Sequence, residues 1–355
     1  MKVLMGDRFG RILGEITPQI DSISWILNQI GKTKVIISRN SNDFDESLLR
    51  FGNRIYIDPE NGLTPWGGVL DLPRTWPAYG VVLSCYGIEQ LYQTRVTDKN
   101  AVFYDRQAGD IFRLLIEREE TKDPMGVTIG SVWTGGKPHG PRYNHMLMWD
   151  VLDYSIRRME RCDFKFTPYL DDGFIKFRAD FYQIAGSDKT ASVSIQEGRN
   201  AGQASEVEEL GTLINAHYAI GEGSVWDQTR IVTITKDLSS VSKYGLRETS
   251  QIYSGTAMQS TLEMQGRNVI RLNSEARRYF RLPVTNNSPG AFAEYDLGDV
   301  IGCALPSFGF KGYDHEVRVL AIEFSPSSGT CEILVEEQNE PKYWIYQEDV
   351  DDAGT

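Results

Sequence analysis

Residues 298–337 read GDVIGCALPSFGFKGYDHEVRVLAIEFSPSSGTCEILVEE. After Gly298-Asp299, the residues Val300, Gly302 and Ala304 alternate with Ile301, Cys303 and Leu305, the period-two pattern of a strand. Pro306 to Gly312 interrupt it with turn-forming residues. Glu316 to Glu323 resume the alternation, with Val317, Val319 and Ala321 expected on one face and Arg318, Leu320 and Ile322 on the other. Ser325-Pro326-Ser327-Ser328-Gly329 is a turn, and Cys331 to Glu337 return with Cys331, Ile333 and Val335 on one face. The stretch predicts an antiparallel meander, with strands where a catalytic loop would otherwise sit.

Upstream, residues 1–98 also read as β: Ile23–Leu27, Lys34–Ile37, Asn53–Asp58, Trp66–Leu72 and Gly80–Cys85, punctuated by Gly31-Lys32 and Pro59-Glu60-Asn61-Gly62. Ser41–Leu49 reads as a short helix or a loop. A helix is predicted over Gln107–Glu119, with Ile111, Leu114 and Leu115 at helical spacing, and another from about Asn144 through Leu147 and Val151. Cys162–Tyr182 is a hairpin: Phe164 and Phe166 alternate going in, Asp171-Asp172-Gly173 turns, and Ile175, Phe177, Ala179 and Phe181 alternate coming out. Strands return at Ser192–Gln196, Gly211–Gly221 and Thr229–Thr235. Asp237–Tyr253 is polar, and a helix is predicted over Val269–Leu282, stopped by Pro283. The order implies a mainly β chain with inserted helices, laid out as two β modules, although no residue-level repeat accompanies it.

At 355 residues, with 41% hydrophobic and 11% aromatic residues, the chain has the composition of a folded protein of several domains. Its 37 Lys and Arg against 49 Asp and Glu give a net charge of −12, the wrong sign for gripping nucleic-acid phosphates. Cys85, Cys162, Cys303 and Cys331 lie far apart with no C-x-x-C pair, which predicts buried, reduced, structural thiols. Asp7, Arg8 and Arg11 interrupt the N-terminus where a signal peptide needs an apolar core, and no run is long and apolar enough for a membrane span. A soluble protein made in the cytoplasm is expected.

The candidate chemistry is sparse. His139 and His145 lie close together, but no Cys or third His accompanies them, so no metal site is expected. Thr134-Gly135-Gly136-Lys137-Pro138 fails the phosphate-loop pattern, with Ser131 where its first glycine belongs and Pro138 in place of the Mg²⁺-binding hydroxyl. Asp171 and Asp172 sit at a hairpin tip, unlike the separated carboxylates of a glycosidase. No G-x-S-x-G elbow is present. Trp66, Trp76 and Tyr79, rimmed by Asp71 and Arg74, form a candidate partner or glycan contact, weighed against a place in the core or a subunit interface. Tyr343 and Trp344, in the acidic tail 341–355, are a second candidate contact. No enzyme and no cofactor is expected.

Four places carry a family resemblance: Ile55-Tyr56-Ile57 followed by Trp66-Gly67-Gly68-Val69-Leu70; Val81–Thr97 (VVLSCYGIEQLYQTRVT); Tyr244-Gly245-Leu246-Arg247-Glu248; and Leu297-Gly298-Asp299-Val300 with Arg318-Val319-Leu320-Ala321-Ile322. In order and spacing the chain resembles the hub proteins at the tip of long-tailed bacteriophage tails, the siphophage hub and the related contractile-tail baseplate hub. The resemblance implies a homotrimer whose chains each contribute two β-barrel-like tube modules, giving a pseudo-sixfold ring. Such a ring would join the six-fold tail tube and distal ring proteins to a three-fold tip, spike or fibre. DNA would pass through its lumen without specific binding, and the protein would reside in the virion after synthesis in the host bacterium. The implied division is 1–98 for the first tube module, 99–185 for a helix-containing α+β domain, 186–236 plus 288–340 for the second module, and 237–287 for an insertion. The meander should then share a sheet with part of 186–236. Because the chain ends at Thr355, any spike or peptidoglycan-cleaving activity is expected from another protein. The alternative is a host-surface receptor or polysaccharide-binding tail protein.

Overall fold

The computed structural model describes residues 1–99, 101–157, 162–209, 213–221, 223, 230–253, 259–275, 277–307 and 312–337. The chain forms two compact units, Met1–Ser205 with the segment after Arg281, and Glu206–Phe280. Its strands are β1 (Lys2–Gly6), β2 (Ile12–Glu15), β3 (Gln19–Ile26), β4 (Lys32–Ser38), β5 (Arg54–Asp58), β6 (Trp66–Thr75), β7 (Gly80–Gly87), β8 (Val127–Val132), β9 (Asp163–Asp171), β10 (Phe174–Tyr182), β11 (Ser194–Gln196), β12 (Ser205–Glu209), β13 (Ala216–Ile220), β14 (Val232–Lys236), β15 (Glu248–Ile252), β16 (Arg277–Val284), β17 (Val300–Leu305), β18 (Tyr313–Ser325) and β19 (Thr330–Glu337).

In the larger unit the strands run in the order β19-β18-β3-β4-β7-β6-β5-β1-β2. The meander is central to this ladder. β18 pairs with β19 along one edge; on the other it pairs first with β17, from Tyr313↔Leu305 to Arg318↔Val300, and then with β3, from Ala321↔Ile26 to Phe324↔Ile23. The partner changes at Leu320, where the register against β19 jumps from Val319↔Val335 to Ala321↔Leu334. Such a bulge inserts one residue and reverses the facing of everything beyond it. Val317 and Val319 are buried as predicted, but beyond Leu320 the buried residues are Ile322 and Phe324, not Ala321. The extra carbonyl is used: Leu27 N–H donates to Leu320 O at 2.9 Å. The sheet-sharing expected with 186–236 occurs at β11, which lies parallel to β17 through Ser194↔Gly302 and Gln196↔Ala304. β13 and β14 instead pair with each other in a separate sheet.

The predicted hairpin is present as β9 and β10, turning at Asp172 and Gly173 with φ of 45° and 78°. β8 joins it in parallel, and α1 (Ala108–Lys122) lies against this small sheet. The phenylalanines expected to alternate into a core do so. Phe112 of α1 stacks on Phe181 at 5.0 Å and lies near Phe164 and Phe166. The same core takes in Leu4, Tyr56 and Val69 from the main sheet, so residues 99–185 share a core with the first strands. Each such side chain contributes about 1.5–3 kcal/mol on burial. The helix expected from Asn144 begins only at Met148 and continues as a π turn over Val151–Arg157.

A polar network ties the meander to the hairpin. Asp163 accepts from Asn28 Nδ2 at 2.7 Å, from Ala185 N at 2.9 Å and from Arg318 Nη2 at 2.6 Å. Arg318 also donates to Gly298 O at 3.1 Å and Ala185 O at 2.9 Å. Gly298, at φ +91°, leaves no room for a side chain, because a Cβ there would lie 2.5 Å from Ala185 O. The residue that opens the quoted stretch is therefore a glycine by necessity.

The smaller unit holds the sheet β14-β13-β15, antiparallel then parallel. Its helix is Gln259–Asn273, and Arg277–Val284 is a strand, which corrects the predicted helix over Val269–Leu282. The period of two explains the difference: Phe280, Leu282 and Val284 are all buried on one face. The polar segment 237–253 holds a helix, Leu238–Tyr244, capped by the Asp237 carboxylate accepting from Ser240 N at 3.0 Å.

Candidate functional site

The candidate contact residues Trp66, Trp76 and Tyr79, weighed against a place in the core, differ in burial. Trp66 is 2% exposed, and its indole N–H donates to Ser24 O at 3.1 Å, so it is a core residue. Trp76 and Tyr79 stand at the end of the β6–β7 hairpin, 51% and 62% exposed. Tyr343 and Trp344 lie outside the described residues.

The hairpin end has an irregular geometry. Asp71 faces Ser84, but the next pair is Arg74↔Leu83, so Leu72 and Pro73 are extruded from the ladder. Asp71 holds this bulge by accepting from Leu72 N at 2.8 Å and from Gln90 Nε2 at 3.0 Å, while the Ser84 hydroxyl donates to Pro73 O at 2.8 Å. The extrusion re-aims Arg74. Its guanidinium lies 4.4 Å from the Phe51 ring centroid and 4.9 Å from that of Trp76, and it donates to Leu49 O at 2.8 Å. Phe44 meets Trp76 edge-on at 5.9 Å. Sequence reasoning missed Phe44 and Phe51, whose separation from Trp76 along the chain carries no signal of contact.

This cluster is an apolar and cationic surface, not a reaction centre. Arg74 already covers one side of Trp76, which reduces the flat aromatic area available for stacking a sugar and suits a packed protein contact better. The other candidates have structural roles. Asp171, at the hairpin tip, pairs with Lys176 at 2.7 Å. His139 exchanges backbone hydrogen bonds with Arg106, at 3.0 Å and 2.7 Å. Among the described residues no group of three or more His, Cys, Asp or Glu side chains could hold a metal ion. All four cysteines are buried, and burial pushes the Cys303 and Cys331 thiols up to about 12.

No family profile matches the chain, and no curated protein matches its sequence. Solved structures do match its fold. A 43 kDa tail protein of prophage MuSo2 from Shewanella oneidensis aligns at TM-score 0.63 and 12% identity, covering 95% of this chain and 98% of that one. Prophage tail protein gp18 from Listeria monocytogenes aligns at TM-score 0.57 and 13% identity, covering 96% and 95%. The E. coli c3393 protein, a type VI secretion component described as similar to the phage T4 tail proteins gp27 and gp5, aligns at TM-score 0.52 and 7% identity, covering 90% and 73%. This mostly β chain thus shares its fold with two prophage tail proteins and a type VI secretion component.

Proposed function

We propose that the protein is a structural component of a bacteriophage tail, the hub that joins the six-fold tail tube to a three-fold tip. The observation that carries this reading is the end-to-end likeness to prophage tail proteins, which spans at least 95% of both chains in two cases. Likeness over whole chains is what a shared architectural role requires, whereas a shared catalytic site would need only local agreement. A homotrimer fits: two tube modules per chain give a pseudo-sixfold ring from three copies. The modules in this reading are 1–98 and 186–236 plus 288–340, with 99–185 and 237–287 outside or distal to the ring, and tube, distal ring and spike or fibre proteins as neighbours. The role is non-enzymatic, and the site of action is the virion.

The net charge of −12 supports a lumen that lets DNA pass without holding it. The Arg74–Trp76–Phe51 cluster, with Leu72 and Tyr79 exposed beside it, is the surface we assign to a neighbouring tail protein or, in the second reading, to a host glycan. Two assays test the assignment. DNA retention by the purified chain at low salt should be absent, and firm retention would contradict a non-binding lumen. Glycan-array binding that is lost in Trp76→Ala would favour the receptor reading over the hub.

A further inference from the structure

The larger unit contains a cavity of about 40 Å³, walled by Trp25, Trp66 and Phe166 and bordered by Gly31, Lys165 and Glu89. Glu89 is the second residue of the 3₁₀ helix Ile88–Thr94. Its carboxylate is folded back over Gly87, where a Cβ would lie 2.2 Å from Oε2, so the glycine makes the seat for the acid. The floor is fixed by Gly87 N–H donating to Gly31 O at 2.8 Å. The acid has a weak set of partners. Its own backbone amide is the one donor that favours the charged form, and burial pushes the carboxyl up to about 8. Lys165, the cation on the rim, is committed to Asp296 at 2.5 Å. Asn28, also on the rim, is committed to Asp163 and to Phe164 N. Among the described residues no cation pairs with Glu89.

Glu89 is half-buried; a carboxylate drawn out of solvent without a counter-ion is costly, and the tryptophans lining the same pocket suit a cation. The size of the space selects further. The space, about 40 Å³, is small and suits the narrow tip of a side chain. A single carboxylate is also too few oxygen ligands for a divalent metal. We propose that this pocket receives the ammonium tip of a lysine side chain from a neighbouring protein chain, with Glu89 as counter-ion and Trp25 and Trp66 as walls. The neighbouring chain as source rests on the tail-component reading; the alkylammonium specificity rests on the pocket alone.

The test uses the full chain, ¹⁵N-labelled, titrated at pH 8.5 with n-propylammonium chloride, with n-propanol and sodium chloride as controls. The reporter is the Trp25 indole N–H, assigned with Trp25→Phe; this N–H is buried and has no hydrogen-bond partner. The expected result is a saturable shift with a dissociation constant of about millimolar order, weakened about tenfold or more in Glu89→Gln and at pH 6.5. At pH 8.5 Glu89→Gln should melt no lower than the parent chain, because the amide carries no charge to desolvate, and this shows that the fold is intact. No saturable shift up to about 100 mM, an equal response to n-propanol, or unchanged binding in Glu89→Gln would each overturn the proposal. A chain found elsewhere than the tail tip would leave a positive titration standing, so the two readings fail separately.

Discussion

Replacing Asp163 with alanine removes the acceptor at the junction of the β3–β4 turn, the hairpin and the meander. Asp163 and Arg318 side chains are 7% and 15% exposed, so solvent screens the pair little. The substitution orphans the Asn28 amide, the Ala185 N–H and one arm of the Arg318 guanidinium, and leaves that guanidinium charged without its counter-ion. Breaking a buried pair from one side costs about 3–5 kcal/mol, and most of that is the stranded charge, not the lost attraction. The double replacement Asp163→Ala with Arg318→Met removes both charges together. It should therefore cost less than the two single changes combined, with a coupling of about 1–3 kcal/mol. Urea unfolding followed by tryptophan fluorescence, one curve per variant, measures all four corners of the cycle. A loss below about 1 kcal/mol for Asp163→Ala, or strict additivity in the cycle, would refute the claim that this network holds the meander to the hairpin.

Other expectations follow from single observations. Gly298→Ala should destabilise by about 1–3 kcal/mol, since the new methyl meets Ala185 O and φ is +91°, whereas Gly14→Ala, with nothing within 4 Å, should be near neutral; thermal melts compare them. Trp66→Ala should cost about 3–5 kcal/mol and Trp76→Ala under about 1 kcal/mol, because the first is buried and the second exposed. The Cys303 and Cys331 thiols, raised to about 12 by burial, should resist thiol reagents at pH 8 until urea unfolds the chain; rapid labelling of the native protein would contradict their burial. His217 is 1% exposed with both ring nitrogens unpartnered, and burial lowers its pKa from 6.5. The unfolded state therefore binds the proton more readily, so its contribution is present above pH 6.5 and is lost as pH falls toward the depressed native value. Amide exchange in Glu206–Phe280 should accelerate on acidification through that window, and His217→Phe should flatten the dependence.

What could be read beforehand follows a physical division. Alternation with one buried face was legible: the Phe164–Phe181 hairpin, its Asp171-Asp172-Gly173 turn and the Cys331–Val335 strand appear as expected. The bulge at Leu320 was not, because both faces of Val317–Phe324 carry apolar residues and either register reads equally well. The helix Gln259–Asn273 was expected later in the chain, over Val269–Leu282, and it contains Gly266, a residue unfavourable inside a helix. In the structure that glycine is a requirement, since a Cβ would meet Thr235 Oγ1 at 2.4 Å where the helix approaches β14. It sits between the buried Leu262 and Ile270 on one helical stripe. At the candidate site, the aromatic residue types were legible but their burial was not. Trp66 and Trp76 differ in exposure because one, opposite Ile57 at the start of β6, packs into the core and the other lies beyond an extruded Leu72-Pro73. Glu89 gave no signal at all: an isolated glutamate is unremarked until the fold brings it into a pocket that Trp25 and Trp66 also line.

The most direct measurement is electron cryomicroscopy of phage particles or tails that contain this chain. The account predicts three copies in a closed ring at the distal end of the tail tube, with the Val300–Glu337 meander in the ring wall and acidic residues facing the lumen. A chain placed in a peripheral fibre, present in a number not divisible by three, or absent from the particle would contradict it.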